Sequence, residues 1–457
     1  MNQPLIALGA FLVLQLGIGV WISRRIATED DYLVAGRRLG PLLATFSIFA
    51  TWFGAETVIG SAGEAFANGV SLGSAEPFGY GLCLVLMGLF LARPLWNRGM
   101  TTLADLYRTR FGIGVERLAA ILLIPASVLW AAAQIRAFGT VVSLVGEMPI
   151  DVAVSVAALF VIAYTTFGGL LADAYTDVIQ GIVLAIGLLF LLVVTVGHVG
   201  GTGAAIAAIA DSGRINLTPQ AAGPWYLTLE AWAIPVIGSL TATEVVSRVI
   251  AARSGEVARR ASLSAGAIYI ALGLIPLAVA LLATQFIGPL PEAESVLPAV
   301  ARELLPPLAF AVFAGGLVSA ILSTVDSTLL VASGLLTHNL IVPLTRITDE
   351  RRKVWIARGG VVGFGILAYV LALNTSGVLA LVEQASALGS TGIVVTVLFG
   401  LFTTLGSPRS AAATLVVGLV SYVGGVVAGL DTPFLASLAL SLLTWGLGCT
   451  LDAQASS

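Results

Sequence analysis

Ser323, Thr324, Ser327 and Thr328 place four hydroxyls within six residues, with Asp326 among them, in the middle of a long apolar run. Hard oxygen atoms grouped in this way suit a cation such as Na+. The plainer alternative is that each hydroxyl bonds back to the preceding helical turn. Other ionisable residues also interrupt apolar runs: Glu56, Arg136, Glu244 and Glu383 lie deep, and Asp177 and Glu230 lie near run ends. A charge at the centre of a membrane costs about 2.5–3.5 kcal/mol, so each deep one is a functional candidate. Asp177 and Glu230 read equally well as solvated boundary residues or helix caps. Trp52, Tyr80 and Trp130 sit away from the run ends, where membrane aromatics usually gather. Their faces would suit a cationic or ring-bearing solute, with ordinary packing as the alternative. Glu56, Arg136 and Glu244 join these three as candidate solute contacts.

The elements that carry these residues must be membrane helices. Of 457 residues, 58% are hydrophobic and 10% charged, against roughly a quarter charged in soluble domains. The net charge of −3 offers no basic surface for nucleic acid. Two His and two Cys, far apart, lack metal-ligand spacing, and no Ser/His/Asp arrangement suggests an enzyme. Spans of roughly 20 apolar residues fall at 4–23, 40–63, 75–96, 118–146, 150–168, 172–198, 226–250, 261–287, 305–337, 355–374, 377–403, 410–430 and 432–450. These are spans one to thirteen below, and span nine is long enough to begin with a short external helix. With the N-terminus outside, all of the 22 Lys and Arg except Arg136, Arg214 and Arg302 lie in or beside cytoplasmic segments, as the positive-inside rule expects. The C-terminus is then cytoplasmic. Arg24 and Arg25 follow the first apolar run rather than preceding it, so that run reads as a first span and not a cleaved leader. No soluble domain is expected after residue 450.

Span two carries Thr51, Gly54, Glu56 and Thr57 at mid-depth, and span seven carries Pro235, Gly238 and Glu244. Both are poor continuous helices. A pair of interrupted spans at matching positions in two halves points to a transporter's binding site. Their offset of five implies inverted five-helix repeats, with residues 1–39 as a leading helix and inner loop. The first repeat then covers 40–200, the second 201–403, and 404–457 forms two trailing helices and a tail. A break at the midplane frees carbonyls for a cation and N–H groups for an anion.

Residues 31–38 (DYLVAGRR), 168–180 (GGLLADAYTDVIQ) and the Ser323-Thr324 stretch resemble the sodium:solute symporter family, and the likeness covers nearly the whole chain. Residues 50–52 (ATW), 77–81 (PFGYG), 88–94 (GLFLARP) and 130–133 (WAAA) are most similar to its choline-transporter branch. The resemblance implies an all-α, LeuT-type inverted-repeat core, with one helix before it and two after. It implies Na+ as coupling ion between spans two and nine, held by the carbonyls of Ala50, Phe53 and Ala320 and the hydroxyls of Ser323 and Thr324. Asp177 would lie near the inner exit, and Trp52, Tyr80 and Trp130 would form an aromatic cage. Ala242 stands where a further cage tryptophan is expected. A guanidinium near the pocket, Arg136, would repel choline, so choline is not carried over. Glu56 and Arg136 either pair with each other, the preferred reading, or hold the two ends of a zwitterion.

The expected protein is a multi-pass plasma-membrane symporter that imports a small polar organic solute by alternating access. Its partners are solute, Na+ and lipid, with homo-oligomerisation left open. The alternatives are a proton-coupled transporter using Glu56, Glu244 or Asp326, and a transporter-like solute sensor.

Overall fold

The computed structural model describes residues 3–24, 26–221, 223–375 and 377–456. Arg25, Met1, Asn2 and Ser457 lie outside the described residues. Nine described helices are long and apolar enough to cross a membrane, or twelve if each of three bent pairs is one span. The thirteen expected spans are reached only by counting Ile150–His198 twice. Its 49 residues would extend about 74 Å as one rod, more than twice the hydrocarbon thickness. The helical path is interrupted within it at Gly169, whose φ of 66° and ψ of 166° are non-helical.

Both expected breaks are present. Span two divides into Pro41–Trp52 and Glu56–Asn68, bent by 52°, and span seven into Trp225–Thr241 and Thr243–Ala251, bent by 43°. A third break was not anticipated: span eleven divides into Val378–Ala387 and Ser390–Phe402, bent by 43°, with Gly389 left-handed between them. Span nine, Pro307–Thr345, has no such bend, and 83% of its most apolar stretch is buried. It packs against spans four, five and six and span two, and so forms the central post.

Side chains such as Leu159, Val193 and Leu447 face outward. This is the arrangement a lipid solvent favours, since exposed apolar groups cost nothing there. Small residues let backbones meet. Span three (Phe78–Asn97) crosses span eight (Gly255–Ala283) at Gly81 and Gly266. A Cβ on Gly266 would lie 2.9 Å from the Gly81 carbonyl oxygen.

Gly169 is needed twice over: a Cβ there would sit 2.8 Å from the Tyr32 ring, on a backbone that favours glycine. Gly169→Ala is expected to cost about 1–3 kcal/mol, read as an earlier denaturation midpoint in detergent. Gly168→Ala, whose nearest neighbour would be 3.9 Å away, should leave the midpoint nearly unmoved. Equal midpoints for the two variants would contradict this reading of the bend.

Candidate functional site

The break in span two is held by side chains. In a continuous helix the amides of Gly54, Ala55 and Thr57 would bond to the carbonyls of Ala50, Thr51 and Phe53. Instead, the Gly54 amide donates to Glu56 Oε1 at 3.3 Å and the Ala55 amide to Gln134 Oε1 at 3.0 Å. The Thr57 amide turns to the Gly54 carbonyl at 3.3 Å. Gln134 Nε2 closes the group by donating to Glu56 Oε2 at 2.9 Å. Glu56 and Gln134 are both fully buried. The carbonyls of Ala50 and Phe53 are thereby left without the amide one turn on, the condition in which a carbonyl can serve a cation.

Span nine faces this break. A Cβ on Gly54 would lie 2.8 Å from Thr324 Oγ1, and Thr51 Oγ1 meets Ser327 Oγ at 3.2 Å. The Thr324 hydroxyl donates to the Ala320 carbonyl at 3.2 Å, and the Ser323 hydroxyl to Asp177 Oδ1 at 2.5 Å. Thr324 therefore does make the local back-bond that offered the plainer reading. Each hydroxyl sends its hydrogen away, however, and keeps lone pairs on its oxygen. Asp177 is no boundary residue. It is fully buried and also accepts from Ser47 Oγ at 2.6 Å, which ties span six to spans two and nine.

Next to it lies a group that the sequence reading missed. Arg248, fully buried in the second half of span seven, donates to Asp173 and to Ser327 Oγ. Asp326 accepts from the Ser327 amide at 2.8 Å. Asp173, Asp177 and Asp326 are thus three buried carboxyls around one guanidinium. Arg248 reads from the sequence as a cation bordering an inner loop, because it sits close to a span end.

The three aromatics come together. Ring centroids are 5.0 Å apart for Trp52–Trp130, 5.8 Å for Trp52–Tyr80 and 6.4 Å for Tyr80–Trp130. They touch one another rather than enclosing an open box. On the span-seven side of Trp130 a small cavity of about 30 Å³ is lined by Ser127, Ala242, Glu244 and Ser386. Glu244 accepts there from Ser127 Oγ at 2.5 Å. On the other side of Tyr80 lies a cavity of about 300 Å³. The Tyr80 hydroxyl, 3.0 Å from Ser386 Oγ, spans the wall between the two.

The expected Glu56–Arg136 pair does not form. Glu56 bonds to Gln134, whereas Arg136 reaches outward to Glu292 at 3.9 Å. The reason is helical phase: residues 134 and 136 are about 200° apart around span four, so only one of them can face span two. Gln134 shares the face of Trp130, four residues earlier, and that spacing was the available signal. Glu230 does prove to be a helix cap, taking the amides of Phe434 and Leu435 at 2.7 and 2.9 Å. Glu383 opens onto the larger cavity.

Bent helices that free carbonyls beside a hydroxyl-bearing post define an ion-coupled secondary transporter. The profile of the sodium:solute symporter family matches residues 32–418, and the chain belongs to that family. It is a Na+-coupled symporter of a small solute rather than an enzyme. It is 28% identical to the human high affinity choline transporter 1 over 82% of this chain and 68% of that one. It is 26% identical to the high-affinity proline transporter of Bacillus subtilis (strain 168), over 91% and 90%. A Na+-coupled sialic acid symporter in a substrate-bound outward-open state superposes with a TM-score of 0.84 at 18% identity, covering 98% of this chain and 96% of that one. Mhp1, a nucleobase-cation-symport-1 family transporter, gives 0.64 at 14% identity over 93% and 94%. The fold is the LeuT type.

Two outcomes follow from this geometry. Gln134→Ala removes the acceptor of the Ala55 amide and a donor to Glu56. The half-saturating Na+ concentration for uptake should rise about tenfold, equivalent to about 1.4 kcal/mol; an unchanged value would count against the side-chain-held break. Arg248→Gln should cost about 3–5 kcal/mol of stability by stranding buried carboxylates. Adding Asp173→Asn should return part of that loss in a double-mutant cycle, and strict additivity would show that the two side chains act independently.

Proposed function

We propose that Na+ binds the carbonyls of Ala50, Phe53 and Ala320 and the hydroxyls of Ser323 and Thr324, with Asp177 beside the route to the inner side. We further propose that the solute carries a cationic nitrogen, as an amine or as the amino end of a zwitterion. It would sit against Trp52, Tyr80 and Trp130 and reach toward Glu244, with Glu56 acting on the site by holding the span-two break. The observation that carries this reading is the direction of Arg136. That side chain was the objection to a cationic solute, and it points to Glu292. Among the described residues, those lining the cavities on either side of Tyr80 include Glu64, Glu76, Glu244 and Glu383 and no Arg or Lys. The relatives named for choline and for proline agree with it, since both molecules bear a cationic nitrogen.

Alternating access would then run as follows. External Na+ joins spans two and nine and completes the aromatic face. The two five-helix repeats, 40–200 and 201–403, rock against each other, and Na+ leaves past Asp177. Three buried carboxyls around Arg248 favour a positive guest in this half of the core. An inward potential of 100 mV supplies about 2.3 kcal/mol per Na+, or roughly 50-fold accumulation.

For the orientation, N-terminus outside and C-terminus cytoplasmic in a plasma membrane, the support is the concentration of Lys and Arg in the segments assigned to the inner side; contacts between those segments agree with their lying on one side. Arg37 donates to the Met100 carbonyl, Arg98 to that of Leu401 and Arg110 to that of Leu405. Lipid would cover the exposed apolar belt.

The test is uptake by proteoliposomes with an imposed Na+ gradient, using labelled amines, amino acids and amine-free carboxylates. Members with a cationic nitrogen should accumulate, and Ser323→Ala combined with Thr324→Ala should abolish Na+ stimulation in a folded protein. Accumulation driven by a pH gradient and indifferent to Na+, or confined to the carboxylates, would overturn the proposal.

A further inference from the structure

Arg358, near the start of span ten (Glu350–Leu373), has no part in the cycle above. Its guanidinium carbon lies 5.2 Å from the centroid of the Trp355 ring and 5.9 Å from that of Phe167, at the end of span five. Two aromatic rings thus lie against the flat cation, which still has its N–H edge to offer. Among the described residues no carboxylate pairs with it. Its Nε is buried without an acceptor, whereas its two terminal nitrogens are not enclosed. A guanidinium fork without an oxyanion lacks the partner that its geometry fits best.

The surroundings carry surplus positive charge. Residues 346–358 hold five cations, Arg346, Arg351, Arg352, Lys353 and Arg358, against two acids. Both acids are engaged: Asp349 lies 3.6 Å from Arg352 and Glu350 lies 2.7 Å from Lys353. Arg351 is exposed and, like Arg358, has no carboxylate partner among the described residues. Arg351, Trp355 and Arg358 share one face of the helix. Trp355 is 65% exposed and Phe167 43%. Cations beside exposed aromatics belong at the level of lipid headgroups.

The same face continues into the membrane as Val362, Ile366 and Val370, all exposed. Gly359 and Gly363, where a Cβ would have no neighbour within 4 Å, leave a furrow beside them. An anion contact at one end and an apolar track at the other match the two parts of a phospholipid. Inorganic phosphate would use only the first. The surplus of cations disfavours a headgroup that brings its own ammonium.

We propose that this face of span ten, with Phe167 of span five, binds one anionic phospholipid. Its phosphate takes the Arg358 fork and Arg351, and an acyl chain lies along Trp355, Val362 and Ile366. The site adjoins the break between spans five and six. Phe167 precedes Gly169 by two residues, and the Tyr32 hydroxyl donates to the Thr166 carbonyl at 3.4 Å. A lipid bound there braces that break. The leaflet it comes from rests on the orientation proposed above; the site does not, and lipid supplied in detergent reaches either end of the chain.

The test is lipid retention by the full chain in detergent, read by native mass spectrometry and by thermal unfolding, with phosphatidylglycerol and phosphatidylcholine as probes. Wild type should keep one phosphatidylglycerol per chain, about tenfold more tightly than phosphatidylcholine, and should unfold later in its presence. Arg358→Gln should weaken this binding about tenfold, the scale of one charge-assisted hydrogen bond. Arg358→Lys should not restore it, because an ammonium lacks the planar fork. Arg351→Gln, at an exposed position, should weaken it about fivefold, the scale of one cation at a lipid surface, and leave the lipid-free midpoint in place. That variant keeps the question answerable if the Arg358 variants fail to fold. Inorganic phosphate should not displace the lipid. The site is overturned if the two lipids are kept equally, if both Gln variants bind as wild type does, if Arg358→Lys binds as tightly as wild type, or if inorganic phosphate competes on equal terms.

Discussion

Two main-chain amides decide what this molecule can do. Those of Gly54 and Ala55 would, in an unbroken helix, be satisfied by the chain one turn earlier. Here Glu56 and Gln134 accept them instead. In hydrocarbon an amide must find a partner, and a break without one would close again. The two side chains therefore keep the break open and hold the carbonyls of Ala50 and Phe53 available. Gly54 fits there because any side chain would meet Glu56, Gln134 and Thr324 together.

From that break the rest of the core can be followed outward. Thr51 touches Ser327, Ser327 touches Asp173 and Arg248, and Ser323 reaches Asp177, which returns to span two through Ser47. One continuous polar chain thus joins spans two, six, seven and nine. A cation that pulls the span-two carbonyls toward span nine acts on this whole group. That would supply a physical basis for coupling: Na+ at the proposed site would bias the placement of both broken helices, and with them the aromatic faces of Trp52 and Trp130.

The membrane class and the two broken helices were legible because they depend on composition and on Gly and Pro at depth, which are local properties. The hydroxyl run in span nine was legible for the same reason. Partner choice was not. Glu56 was placed correctly as a deep acid, but whether it meets Arg136 or Gln134 depends on the rotation of span four, and two residues turn the face by about 200°. Asp177 seemed to be a boundary residue because depth was counted from the loop. The fold buries that boundary under span nine and Ser47. Arg248 and Asp173 were missed likewise, since end-of-span charges read as solvated until a neighbouring span covers them. The break in span eleven has the weakest signal, with Gly389 as its main mark.

The most direct measurement is a high-resolution density map of the protein in Na+ and again with K+ replacing it. The account predicts, in Na+, a spherical peak among the carbonyls of Ala50, Phe53 and Ala320 and the oxygens of Ser323 and Thr324, absent in K+, with Gln134 against the Ala55 amide in both. A Na+ map in which the Gly54 amide has closed onto the Ala50 carbonyl, or in which the ion density lies away from span two, would contradict it.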